Sequence, residues 1–410
     1  MKLQTRLALA GQETDGAYRS VVPPIYQSAI FKFENPDTKP AYDYSRSGNP
    51  GRNALEVVLA DLEGGAGAVA TSSGMSAVTT VLGLYNADAH ILCSHDCYGG
   101  TERLLTVWAR QGRLKVSFVD LTDVRALEAA IRPDTKAIWA ETPSNPLLRI
   151  IDLAAVSAVA KRHDLELIVD NTFLSPLFQR PFEHGADLIV HSTTKYLNGH
   201  SDIVGGAVVA RTEERAADIR FTSNALGLTA APFDSWLLVR GLKTLPLRLK
   251  QHEENAFAVA RFLAGHDAVD EVFYPGLETH VGHDIARKQQ SGFGGIVSFR
   301  LKGTGDDVRR VLGATRVFAL AESLGGVESL IEQPATMSHA SMRPEQRAEA
   351  GITEQIIRLS VGIEDPSDLL ADLELALSRV CTAQPAHAPN GVKTEAPKTN
   401  GVKRSAGVPV

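Results

Sequence analysis

Seven short runs in the first half of the chain, at 66–71, 90–95, 114–120, 136–141, 165–170, 187–191 and 203–210, are apolar nearly throughout. Longer stretches with helical spacing separate them. A strand wetted on one side alternates polar and apolar residues, whereas one that is apolar at almost every position needs cover on both faces. The pattern therefore predicts an α/β fold, with a mostly parallel central sheet and helices on both sides.

Around this unit the chain divides further. Residues 1–50 are irregular and rich in Pro, Tyr and Ser, and read as an N-terminal arm with little core of its own. A large domain is expected over 51–247. The region 233–263 reads as a long helix broken near Gly241 and Pro246. A smaller C-terminal α+β domain is expected over 248–381, with strands at 295–301 and 356–361 and helices at 306–312 and 366–380. Asp365 suits the N-cap of the last helix, with Pro366 at its first position. Residues 382–410 hold few large apolar side chains and repeat NGVK at Asn390 and Asn400, so a disordered tail is expected there.

The 410 residues carry a formal net charge of −6, which disfavours nucleic acid and anionic membrane as partners. No apolar run approaches the roughly 18 residues that span a bilayer, and the N-terminus lacks a signal-peptide core. Three cysteines, Cys93, Cys97 and Cys381, suit a reducing compartment, and no second Cys/His pair follows to make a metal site. A cytoplasmic protein with no metal is expected. No GxGxxG follows the first strand and no P-loop pattern occurs, which argues against a nucleotide-binding fold.

Ligands of open parallel sheets bind beyond the carboxyl ends of the strands. There the sequence places SSGMSA, a helix start able to offer backbone N–H groups to an anion; Tyr98 on a Gly-rich turn; Asn145 in TPSNP; Asp170 at a strand end; and Ser192, Thr194 and Lys195 in HSTTKY. An anion cradle, an aromatic face, a carboxylate, hydroxyls and one lysine are together what pyridoxal 5′-phosphate requires. Its aldehyde needs an amine, its ring nitrogen a carboxylate, its flat ring a stacking partner and its phosphate donors.

These motifs resemble the pyridoxal-phosphate enzymes of cysteine and methionine transsulfuration. The resemblance runs from about residue 5 to 380. It rests on VVPPIYQSAIF, YDYSRSGNP, SSGMSA, DCYGGTERL, ETPSNPLLRIID, VDNTFLSPLFQRP, HSTTKYLNGHSDIVGG, SLGGVESLIEQPATMSH and IRLSVGIED. It implies the fold-type I PLP-dependent transferase fold. It also implies that Lys195 bonds the cofactor aldehyde and serves as catalytic base, that Asp170 pairs with the ring nitrogen, and that Tyr98 stacks on the ring and assists proton transfer. Gly74 and Met75 would bind the phosphate through backbone N–H groups, with Ser192 and Thr194 adding hydroxyls. Tyr44 and Arg46 would complete that cradle in a neighbouring subunit, giving a homotetramer built as a dimer of dimers. Arg358 would hold the substrate α-carboxylate with Asn145 and Ser323.

Among family members, Glu328 resembles γ-acting enzymes, while Asp43 and Arg103 match positions that contact the incoming amino acid and the distal acyl group in gamma-synthases. Ser47, in place of a second basic residue, and the acidic Glu102 beside the expected acyl pocket depart from that pattern. The resemblance points first to γ-replacement on an O-acylhomoserine by cysteine, with cystathionine gamma-lyase and O-acylhomoserine sulfhydrylase as alternatives. A catalytically silent binding or regulatory protein on the same fold is the reading from a different class.

Overall fold

The computed structural model describes residues 1–380 apart from positions 13 and 341, so Cys381 and the expected tail at 382–410 lie outside the described residues. The seven apolar runs form one sheet: β1 (Gly67–Thr71), β2 (His90–Ser94), β3 (Lys115–Val119), β4 (Thr135–Glu141), β5 (Glu166–Asp170), β6 (Leu188–His191) and β7 (Gly206–Ala210), in the order β1-β7-β6-β5-β4-β2-β3. From β6 across to β3 every neighbouring pair is parallel. β7 alone is reversed, antiparallel to both β1 and β6. Its connection explains this. Parallel neighbours need a crossover, usually helical, whereas residues 192–205 between β6 and β7 contain only turns and bends. Six strands therefore deliver their carboxyl ends to one rim.

The apolar runs are continuous because two cores claim them. In β4, Ile138 and Ala140 join one buried cluster with Leu167, Val169, Ile189 and Val209. Ala137 and Trp139 join another with Ile91, Ile168, Leu188 and Val208 on the opposite face. Cys93 and Cys97 are free and buried in this second cluster. No metal-holding group of His, Cys, Asp and Glu occurs among the described residues.

A second sheet has the order β10-β11-β12-β9-β8, from β8 (Val269–Phe273), β9 (Ile296–Leu301), β10 (Ala319–Leu320), β11 (Leu330–Glu332) and β12 (Ile356–Ser360). It is antiparallel except for the short β10–β11 pair. The helices Gly305–Leu312 and Pro366–Leu377 cover it with their own core, and Asp365 caps the latter through the Ser367 N–H at 2.9 Å.

The long helical region breaks at 243–244 into Pro232–Leu242 and Leu245–Ala264. Pro246 lies in the first turn of the second helix, where its missing N–H costs nothing. That second helix touches both halves of the molecule. Arg248 donates to the carbonyls of Tyr196 at 2.8 Å and Gly241 at 3.0 Å. One and two turns on, His252 Nδ1 bonds the Val361 carbonyl at 2.7 Å and Asn255 donates to the Gly362 carbonyl at 3.0 Å. Among its described residues the N-terminal segment has one short helix, Leu3–Ala8, which buries Leu7, and up to Asn49 no strand beyond an isolated bridge between Ile30 and Tyr44. Among the described residues no helix is long and apolar enough to cross a membrane.

Candidate active site

A cleft of ≈ 610 Å³ opens where the strand ends of the large sheet meet the second sheet. Gly74, Met75, Tyr98, Arg103, Asn145, Asp170, Ser192, Thr194, Lys195, Ser323 and Arg358 all line it. Residues from seven separated stretches of sequence thus converge on one surface.

The anion end begins at the helix Gly74–Leu82, N-capped by Ser73, whose Oγ accepts the Ser76 N–H at 3.0 Å. The amides of Gly74 and Met75 precede any intrahelical acceptor and remain available to a ligand. A Cβ on Gly74 would lie 2.8 Å from that of Ser192, so only glycine lets this helix start close against the turn after β6. That turn carries Thr194, whose Oγ exchanges hydrogen bonds with the backbone of Gly205 at 3.0 and 3.2 Å.

Asp170 ends β5. Its Oδ1 accepts the Thr172 N–H at 3.0 Å and hydroxyl at 2.5 Å, which leaves Oδ2 for a ligand. Beside it in register on β4 stands Glu141, a cleft residue whose role the sequence reading did not single out. Burial pushes both carboxyls up. Glu141 rises further because the Asp170 charge adds to its burial, whereas Asp170 has two Thr172 hydrogen bonds and His191 to pull it down. The Glu141 Oε2 accepts the Tyr98 N–H at 2.7 Å, fixing the start of the Tyr98 turn. Burial also raises the Tyr98 phenol, which stays protonated at neutral pH.

Lys195 Nζ donates to Ser323 Oγ at 2.7 Å. Burial first, and then the positive charge of Arg358, lower its pKa from 10.5 to about 8. Arg358, on β12, is 3 % exposed and donates to Asn145 Oδ1 at 2.9 Å and to the Ser323 carbonyl at 2.7 Å. Ser323 holds a positive φ of 110°, a conformation an L-residue keeps only when its surroundings impose it. Gly325, at φ 77° with the Tyr196 N only 2.6 Å from where its Cβ would be, completes the turn.

Four expected site residues lie outside the cleft of their own chain. Tyr44 is 45 % exposed, Arg46 stacks over its ring and donates to the Asn224 carbonyl, and the Asp43 carboxylate accepts the Tyr44 N–H. Glu328 accepts the Ser201 hydroxyl and does not reach the cleft, whereas Glu322 of the same segment does line it. Glu102 also turns away from the cleft, since its carboxylate is taken by Thr106 and Gln346.

The model of the Cys/Met metabolism PLP-dependent enzyme family matches residues 4–378. Cystathionine beta-lyase of Lactococcus lactis subsp. cremoris is 47% identical over 377 residues, covering 92% of this chain and 99% of the relative. Cystathionine gamma-lyase of Bacillus subtilis is 46% identical over 380 residues, covering 93% and 100%. The crystal structure of cystathionine gamma synthase from Xanthomonas oryzae pv. oryzae, in complex with aminoacrylate and cysteine, superposes with a TM-score of 0.91 at 50% identity, over 92% of this chain and 98% of that one.

The residues present fit pyridoxal phosphate. The Gly74 helix start, packed so closely on Ser192 that a methyl group would fill the gap, is a cradle for a phosphate. The uncommitted Asp170 oxygen suits a protonated ring nitrogen, and a lysine of lowered pKa suits an aldehyde.

Proposed function

Because the chain belongs to the Cys/Met metabolism PLP-dependent enzyme family, with pyridoxal 5′-phosphate as its cofactor, we propose that it is a cystathionine gamma-synthase. It replaces the acyl group of an O-acylhomoserine, preferably O-succinylhomoserine, by the sulfur of L-cysteine and releases L-cystathionine in methionine biosynthesis. The observation that carries this reading is a second guanidinium in the cleft. Arg358 suffices for one α-carboxylate. Arg103 also lines the cleft and, among the described residues, makes no ion pair or hydrogen bond. A free guanidinium there suits a substrate with a distal carboxylate, which a succinyl ester has and an acetyl ester lacks.

Bound in the cleft, the cofactor supplies an electron sink for charge left at Cα. The chain supplies the rest. Asp170 holds the proton of the ring nitrogen. Arg358 and Asn145 orient the α-carboxylate. Lys195 Nζ, with a pKa of about 8, is partly neutral near pH 7 and can take the Cα proton. A γ-substituent leaves only after a Cβ proton is also removed, and Nζ, within reach of Ser323 Oγ, would serve that transfer too once it has given up the Cα proton. The Tyr98 phenol is a donor for the amino groups. Glu322 puts a carboxylate in the cleft for the ammonium of the incoming cysteine.

We further infer a homotetramer with sites shared across each dimer. The arginines lining the cleft are Arg103 and Arg358, and neither belongs to the Gly74 or Ser192 segments. Burying a phosphate costs several kcal/mol, and a helix N-terminus returns only about 0.3–2 kcal/mol. Arg46 and Tyr44 from a neighbour would supply the missing charge. The arm at 1–50 that carries them exposes Tyr18 (91%), Val21 (69%) and Ile30 (71%), apolar surface that a partner would cover. The remaining chain then divides at about 247 into large and small domains.

Gamma-lyase activity on cystathionine is the second reading, favoured by relatives of that name at 46% identity. One assay separates these activities: O-succinyl- and O-acetylhomoserine with and without cysteine, beside cystathionine alone, following cystathionine and 2-oxobutanoate. Cystathionine formed fastest from the succinyl ester supports the synthase. Release of 2-oxobutanoate from cystathionine without any synthesis refutes it.

A further inference from the structure

Arg358 and Glu332 face each other directly across the antiparallel β12–β11 ladder, and Arg358 Nη1 lies 3.1 Å from Glu332 Oε1. Both side chains are almost wholly buried, at 3% and 1% exposure. A buried arginine and carboxylate that served only to neutralise each other would use the two-pronged geometry, two parallel N–H···O bonds, because it satisfies the most groups. This pair does not. The pair meets at Nη1 and Oε1, while Glu332 Oε2 is buried without a hydrogen-bond partner, and so is Arg358 Nε. The geometry is fixed by other bonds. Ser338 donates to the same Glu332 Oε1 at 2.5 Å, Nη1 also donates to Asn145, and Nη2 donates to the Ser323 carbonyl. The guanidinium is thus gripped at its Nη1 corner, and its Nε edge is left over.

We propose that Glu332 is a positioning residue: with Ser338 it pins the Nη1 corner of Arg358 so that the guanidinium keeps the orientation in which it receives the α-carboxylate of the substrate. The inference rests on the reading above that Arg358 is the carboxylate-binding residue. It assigns to a residue one strand in from the sheet edge, acting through Arg358, control over how the amino acid is gripped. Without it the guanidinium is held only by Asn145 and the Ser323 carbonyl, and the carboxylate loses part of a preorganised fork.

The experiment titrates the holoenzyme with glycine and with methylamine, which differ by the carboxylate, and reads the cofactor's visible absorbance. Glu332→Gln keeps the size and an acceptor for Ser338 but removes the charge. It is expected to weaken glycine by about tenfold, to leave methylamine within about twofold, and to raise KM for the acylhomoserine more than it lowers kcat. Ser338→Ala, which keeps the ion pair and frees it to move, is expected to shift the same glycine-to-methylamine ratio by about threefold. If Glu332→Gln does not fold, Ser338→Ala decides on that ratio alone. Glycine binding that is unchanged or tighter in these variants overturns the proposal, since Glu332 would then be a mere counter-ion or a competitor. Arg358→Lys is the control for the underlying reading. If it leaves the ratio at the wild-type value, the carboxylate assignment of Arg358 itself fails. If it collapses the ratio while the Glu332 and Ser338 variants do not, only the positioning role fails.

Discussion

Lys195 is held in a place that disfavours its own charge, and the size of that conflict can be measured on the cofactor-free protein. Its pKa falls from 10.5 to about 8 on folding. At about 1.4 kcal/mol per tenfold change in proton affinity, keeping the ammonium in the folded cleft at neutral pH costs about 3 kcal/mol. Lys195→Met keeps the length and removes the charge. It also loses the bond to Ser323 Oγ, worth about 1 kcal/mol, so the variant gains about 2 kcal/mol net at pH 7. The sign of the pH dependence follows from the direction of the shift. The unfolded chain keeps the proton up to pH about 10.5 and the folded chain only to about 8. Between these values the unfolded state binds more protons, and wild-type stability rises with pH. The advantage of the variant should therefore be full below pH 8, shrink from 8 to 10.5, and give way above that to a deficit of about 1 kcal/mol from the lost Ser323 bond. Urea midpoints of the two cofactor-free proteins at matched pH values test this, because other titrating groups cancel in the difference. Equal stability at pH 7, or a gap that does not close on the alkaline side, would refute the burial argument for this amine.

Three more outcomes are expected. Gly74→Ala forces a methyl group against Ser192 and should weaken cofactor binding by about 10- to 100-fold in absorbance titrations, about 1.4–2.8 kcal/mol, with little change in secondary structure by circular dichroism. Arg103→Ala should raise KM for O-succinylhomoserine by about tenfold and leave that for O-acetylhomoserine within about twofold; equal effects on both esters would remove the succinyl argument. Lys195→Ala and Arg46→Ala, each inactive alone, should recover up to about a quarter of wild-type activity when unfolded together and reassembled, because one site in each mixed dimer is intact; no recovery would place Arg46 in its own subunit's site.

The large sheet was legible because both faces of β1, β2 and β4 to β7 are largely buried, so composition marks them; β3, half-exposed at the edge, was still carried by Val116, Phe118 and Val119. The reversal of β7 was not, since a strand's residues do not encode its direction; the turn-only connection at 192–205 sets it. β8 was missed because Asp270 and Glu271 are exposed at the sheet's edge and break the apolar run, and β10 and β11 because two and three residues carry no period. The lysine, aspartate and arginine of the cleft could be read from strand ends and family motifs. Which acid of SLGGVESLI and its preceding residues enters the cleft could not. Glu322 and Glu328 flank a turn whose positive φ at Ser323 and Gly325 aims the first inward and the second toward Ser201. Glu141 and Glu332 were overlooked for a related reason: each sits in a strand, where a carboxylate gives no sign of the side on which it emerges.

The helix Leu245–Ala264 clamps the peptide just after Lys195 through Arg248 and the peptide just after β12 through His252 and Asn255. On the roles proposed for Lys195 and Arg358, the two ends of a bound amino acid are handled from opposite jaws, and this helix is the arm that sets the gauge between them. Evolution can therefore adjust the length of molecule that is accepted by altering how these three residues seat the jaws, leaving every group in the cleft untouched.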